Sequence, residues 1–129
     1  FTMAGIKDYI SLPSPIPLNK WTHISLVYSE VDNELFFYIN GKHTDTVQLI
    51  SNYSTSDHNL LIGNNLWEEF FIGHLGDIKI WERELNSSEI LIQYNNPNLD
   101  TKNSYSSLFL GISFLLLIST FIVYQKKEL

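Results

Sequence analysis

Few side chains in this 129-residue chain are spaced for chemistry. Glu82 and Glu84 stand two apart, a spacing that puts both on one face of a strand. Paired carboxylates are the machinery of glycoside hydrolysis. Beside Arg83 and Leu85, at the end of an expected strand, these two read instead as a solvated turn. His23, His43, His58 and His74 form no H-x-x-x-H or H-E-x-x-H relation, so zinc is not expected. The absence of cysteine removes disulfides, thiol catalysis and Cys-ligated zinc together. There is no Gly-rich phosphate loop and no serine nucleophile elbow. Asp57, Asn59 and Asn64, with Asn65, Glu68 and Glu69 nearby, offer oxygen ligands of the kind calcium takes. They form no dense D-x-D-x-D array, so two readings stand: a calcium site, or solvated loops. Calcium is the only cofactor these residues suggest, and no catalytic residue is expected.

Two sequons, Asn52-Tyr53-Ser54 and Asn86-Ser87-Ser88, make Asn52 and Asn86 candidate glycosylation sites. Their use depends on topology, which the C-terminal third addresses. No charge occurs between Ser104 and Gln125, and Leu108 to Val123 is almost wholly Leu, Ile, Phe and Val. About 19 residues at roughly 1.5 Å each span about 28 Å, close to the hydrocarbon thickness of a bilayer. Tyr105 and Tyr124 flank the run, and Lys126 and Lys127 follow it. The run predicts a transmembrane helix over 105–124 with a cytosolic tail over 125–129. The N-terminal domain then lies outside the cell or in an organelle lumen, at the plasma membrane or the endoplasmic reticulum. Lys126 and Lys127 admit two readings. One is a dilysine sorting signal for retrieval to the endoplasmic reticulum; the other is a positive-inside anchor. Such a topology needs a route into the secretory pathway, so the chain is expected to be a piece of a longer or processed protein.

Of 8 Lys/Arg and 14 Asp/Glu, the tail holds Lys126, Lys127 and Glu128, which leaves 6 against 13 in the rest. An acidic domain of this kind disfavours nucleic acid and anionic glycans as main partners.

The elements that would position these residues are mostly strands. Trp21 to Tyr28 and Glu34 to Ile39 are rich in aromatic and β-branched residues. Asn40-Gly41 follows as a hairpin turn, with Lys42 to Leu49 returning. Leu60 to Ile62, Phe70 to Ile72 and Gly76 to Trp81 are expected as further strands. Prolines 13, 15 and 17 make Leu12 to Pro17 an extended loop. A helix from Ser87 to about Tyr94 is capped by Asn86 with Glu89 three residues on, and Asn95, Asn96 and Pro97 end it. Trp21, Phe37, Ile39, Ile78, Ile80 and Trp81 are the expected core. The spans are a β-domain over 1–95, a short tether over 96–104, the membrane helix and the tail.

An ordered series of motifs goes further. Trp21-Thr22-His23-Ile24-Ser25-Leu26 is followed by L-F-F-Y-I-N-G at 35–41, then Leu61-Ile62-Gly63. F-I-G-H-L-G-D-I-K-I-W at 71–81 and Leu85-Asn86-Ser87-Ser88-Glu89-Ile90 complete it. Over residues 20–94 this series resembles the C-terminal part of laminin-G-like domains of the concanavalin A-like lectin/glucanase superfamily. Gly76 stands where the family has its first Asp, with Asp77 following. The resemblance implies an all-β, antiparallel jelly-roll β-sandwich with one short C-terminal helix, incomplete at its N-terminus. It implies a structural role for His23 and Asp77. It also implies a non-catalytic binding module for adhesion or for recognition of a protein or glycan ligand. Two alternatives accompany it: a lectin-like sorting or quality-control receptor of the early secretory pathway, and a membrane-anchored accessory domain of an upstream enzyme.

Overall fold

The computed structural model describes residues 2–3, 7–8, 16–50, 62–63, 70–99 and 120–127. Two short strands, β1 (Thr2–Met3) and β2 (Lys7–Asp8), pair antiparallel. The main sheet contains β3 (Trp21–Ser29), β4 (Glu34–Ile39), β5 (Lys42–Gln48), β6 (Gly73–Trp81) and β7 (Thr120–Lys127). Its order is β5-β4-β3-β7-β6, with every neighbouring pair antiparallel. One helix, α1 (Ser87–Asn95), lies between β6 and β7 in sequence.

β3, β4 and β5 form where the β-branched and aromatic runs predict them, because such side chains pack on a pleated surface. The Asn40-Gly41 turn supplies the positive φ that a two-residue hairpin needs, at 50° and 74°. Successive side chains then alternate between the two faces of the sheet. On one face Val27, Tyr38, Trp81, Leu85 and Ile90 form a buried cluster, with Phe36 against it. On the other, Leu35 and Leu49 are buried among Leu26, Tyr28, Phe37 and Val47. Leu85 and Ile90 bring α1 and the segment before it onto the first face. The helix is locked at its start: Asn86 Oδ1 accepts from the Glu89 N–H at 3.0 Å, and a Glu89 carboxylate oxygen accepts from the Asn86 N–H at 3.0 Å. Arg83 grips the same Glu89 carboxylate with two bonds of 3.0 and 2.8 Å. That pairing holds the Glu89 carboxyl below its ordinary range.

At several places the structure differs from these expectations. Residues 120–124, expected as the end of a membrane helix, form most of β7, and Lys126 and Lys127, expected in a cytosolic tail, complete it. Thr120-Phe121-Ile122-Val123-Tyr124 is β-branched and aromatic throughout, a composition that suits a central strand as well as lipid. Between β3 and β6 its backbone finds partners on both sides. The remainder of the expected span, 105–119, lies outside the described residues. Among the described residues no helix is long and apolar enough to cross a membrane. Of the expected core, Trp81 is buried but Trp21 is 56% exposed and Ile78 is 39% exposed. The register places them on opposite faces: Trp21 shares the α1 face with Val27, and Ile78 shares the other with Ile24. Phe70 makes an isolated bridge and Ile62 lies in a bend, so neither is in an extended strand. β6 begins three residues earlier than expected, at Gly73.

Candidate functional site

The sheet brings together two groups of polar residues. The first is internal. His23, on β3, is 1% exposed. Its N–H donates to Asn40 Oδ1 at 3.0 Å, and its carbonyl accepts from the Asn40 N–H at 2.8 Å. Its ring stands 5.6 Å from that of Tyr94 on α1, and its Nδ1 is 3.5 Å from Ser25 Oγ. Burial, aided by the nearby Lys79 charge, lowers the His23 pKa from 6.5 to about 4. Lys79 Nζ donates to Gln93 Oε1 at 3.1 Å and to the Pro97 carbonyl. Gln93, itself 1% exposed, donates to the Leu99 carbonyl at 3.0 Å. This network fastens the hairpin turn, β6 and the end of α1 to one another. A charged His23 would lose solvation and meet Lys79, so the arrangement suits a structural residue better than a general base.

The second group is open. Trp21 begins β3, and its indole stands 6.4 Å from the His74 ring on β6. Trp21, Gly76, Asp77 and Pro97 line a shallow cleft of about 260 Å³. Its shape follows from a break in the β6–β7 ladder. Leu75 pairs with Gln125 and Ile78 with Val123, so Gly76 and Asp77 together oppose Tyr124. Such a bulge lifts residues from the ladder and re-aims their side chains. Every residue from Ile72 to Ile78 is exposed, in contrast to half-buried Lys79 and Ile80 and buried Trp81.

The candidate residues fall as follows. Asp57, Asn59 and Asn64, the calcium candidates, lie outside the described residues, as does Asn52. Among the described residues no three His, Asp or Glu side chains gather as a metal site would require. Asn86 is the helix cap, its amide oxygen engaged by Glu89. Glu82 and Glu84 are exposed in the bend after β6. Lys126 and Lys127 pair through their backbones, Lys126 with Trp21 and His74, Lys127 with Gly73. The cleft was not legible in the sequence: Trp21 reads as core, and the bulge at Gly76-Asp77 is visible only through its partner strand. The offset of Gly76-Asp77 from the family pattern was the one available signal.

An antiparallel sheet with, among the described residues, one short helix after the last motif strand is an architecture consistent with a concanavalin A-like sandwich. A family profile of the concanavalin A-like lectin/glucanases superfamily, of laminin-G type, matches residues 2–91. The chain belongs to that family. Neither the curated proteins nor the solved structures gave a match.

Proposed function

We propose that this chain is a non-catalytic binding module that recognises a protein or glycan ligand through surface features of its sheet. Its membership of a laminin-G-type family over residues 2–91 carries the reading. Domains of this fold class support carbohydrate or protein binding. The exposed aromatic cleft at Trp21 gives such binding a place, and Glu82 and Glu84 lie in an exposed bend outside that cleft. The test is saturable binding of the full chain to immobilised glycans and extracellular-matrix proteins, with the glycans recovered and weighed by mass spectrometry. Binding with intact ligand is the expected result; cleavage of the glycan, or no saturable binding to either class, overturns it.

Where the module works is supported by sequence alone. The uncharged run from Ser104 to Gln125 favours attachment to a membrane, with the domain extracellular or lumenal. In that placement Thr120–Tyr124 lie in lipid, and β7 is withdrawn from the sheet. The two destinations exclude each other, because a strand paired on both sides cannot also be a lipid-embedded helix. Protease protection on microsomes separates them. A shielded domain with an accessible C-terminal tag supports the membrane placement, and a chain digested at both ends supports β7. The Lys126-Lys127 pair keeps the early-secretory receptor as a second reading. Extending the tail beyond Leu129 should then shift the protein to later compartments.

A further inference from the structure

Apart from ligand recognition, we propose that the hairpin turn Asn40-Gly41 is a self-modification site guarded by α1. The pair deamidates through a cyclic imide only when the helix leaves the turn, and the isoaspartyl product then keeps the helix from returning.

Asn40-Gly41 is the one Asn-Gly pair in the chain. In such a pair the glycine nitrogen can reach the asparagine side-chain carbonyl carbon, because no Cβ on the glycine blocks the approach. The Gly41 amide gives its proton to water or hydroxide, and its nitrogen bonds to Cγ of Asn40. The bond from Cγ to Nδ2 breaks and ammonia leaves. Water then opens the five-membered ring at either carbonyl, which yields aspartate or isoaspartate. Water is the only reactant consumed, so the step needs no enzyme and no cofactor.

The folded chain holds this reaction back. Asn40 Oδ1 accepts from the His23 backbone N–H at 3.0 Å, and the Asn40 N–H donates to the His23 carbonyl at 2.8 Å. Turning Cγ onto the Gly41 nitrogen breaks the first of these bonds. Gly41 is buried, which limits the access of water to its N–H. The cover is α1. A methyl group placed on Gly41 would stand 3.0 Å from Leu91 Cδ1 and 3.1 Å from Tyr94 Cβ, so the helix sits directly on the turn. Leu91 and Tyr94 are themselves exposed residues, so this cover is one layer deep. Below them the helix is held by buried Ile90 and by Gln93, which accepts from Lys79.

The two products differ in what they do to the turn. Aspartate keeps the backbone and an oxygen acceptor for the His23 N–H, and Asp-Gly suits the same hairpin. Isoaspartate routes the main chain through Cβ and Cγ, which adds one carbon to a two-residue turn. That displaces Gly41 and breaks up the paired bonds to His23, while Leu91 and Tyr94 leave no room for the shift. The seat of α1 is lost, and the reaction does not run backwards to restore it.

The experiment incubates the full chain in detergent micelles at mildly alkaline pH, folded and in urea. Peptide mapping follows each asparagine and resolves isoaspartate from aspartate, and hydrogen exchange of the α1 amides reads docking. In urea Asn40 should react faster than any other asparagine. In the folded chain it should react about tenfold more slowly or less, because the reaction waits on local opening. Leu91→Ala and Tyr94→Ala should each raise the folded-state rate several-fold. The isoaspartyl chain should lose exchange protection in α1, and Asn40→Asp should keep it. Equal rates folded and in urea overturn the proposal, as does another asparagine leading in urea. Rates unmoved by both α1 variants overturn the guard. An isoaspartyl chain with α1 as protected as in the parent overturns the switch, and this comparison decides even where an α1 variant fails to fold.

Discussion

Strand β6 has two ends of opposite character. Its last residue, Trp81, is 1% exposed and packs with Val27, Tyr38, Leu85 and Ile90. Its first six residues, Gly73 to Ile78, are all exposed. Both ends pair with β7, so backbone hydrogen bonding does not separate them. The difference is what packs on the strand: Leu85 and Ile90 join Trp81 in a buried cluster, and no residue from Gly73 to Ile78 belongs to either buried cluster. A strand can thus be anchored at one end by apolar packing while its other end, interrupted by a bulge, stays exposed. The two tryptophans of the described motifs mark these ends, one as a structural post and one as a surface.

The sharpest way to break this contrast is to truncate each tryptophan. Trp81→Ala should cost roughly 3–5 kcal/mol, because it removes the largest side chain of the main cluster. Trp21→Ala should cost within about 0.5 kcal/mol, as for other exposed positions. Urea unfolding midpoints of the two variants check this, and equal losses would mean that the ends do not differ.

A second test probes the buried side with protons. The His23 pKa is lowered in the folded chain from 6.5 to about 4, so the folded state resists protonation and the unfolded state accepts it. Stability is therefore full above pH 6.5 and falls as pH drops toward about 4. A shift of this size corresponds to a loss of about 3 kcal/mol across the window. Below it the His23 contribution stays flat. Urea midpoints across that range should show the slope, and His23→Asn should remove it. Glu89, whose pKa is lowered by Arg83, adds a separate loss that begins in the ordinary carboxylate range and continues to more acid pH.

The smallest effect belongs to the helix cap. Asn86→Ala removes the acceptor for the Glu89 N–H and should cost about 1 kcal/mol. The same engagement predicts that Asn86 carries little glycan when the chain passes through a glycosylating compartment, which site-resolved mass spectrometry can read. Full occupancy at Asn86 would show that the cap opens readily and that the α1 end of the sheet is looser than its burial implies.

Much of the frame was written locally. The aromatic and β-branched runs Trp21 to Tyr28 and Glu34 to Ile39, the Asn40-Gly41 turn and the Asn86–Glu89 capping box each depend on residues within a few positions of one another. The structure reproduces each of them, with β3 and α1 one residue longer at their C-terminal ends and the returning strand one shorter. The motif order from Trp21 to Ile90 likewise sufficed for the family. The uncharged run at the C-terminus marks where local reading ends. Thr120 to Tyr124 satisfies the composition of a lipid-spanning helix and of a central strand alike. Only the unpaired edges of β3 and β6, far away in sequence, make the strand the outcome in the sheet. The same holds for the cleft. Whether Trp21 is core or surface depends on which side chains reach it across the sheet, and Gly76 and Asp77 owe their place to a register shift against β7. Sequence fixes propensities and turns because they are short-range. Burial and register are shared between strands some fifty residues apart, so only the folded chain decides them.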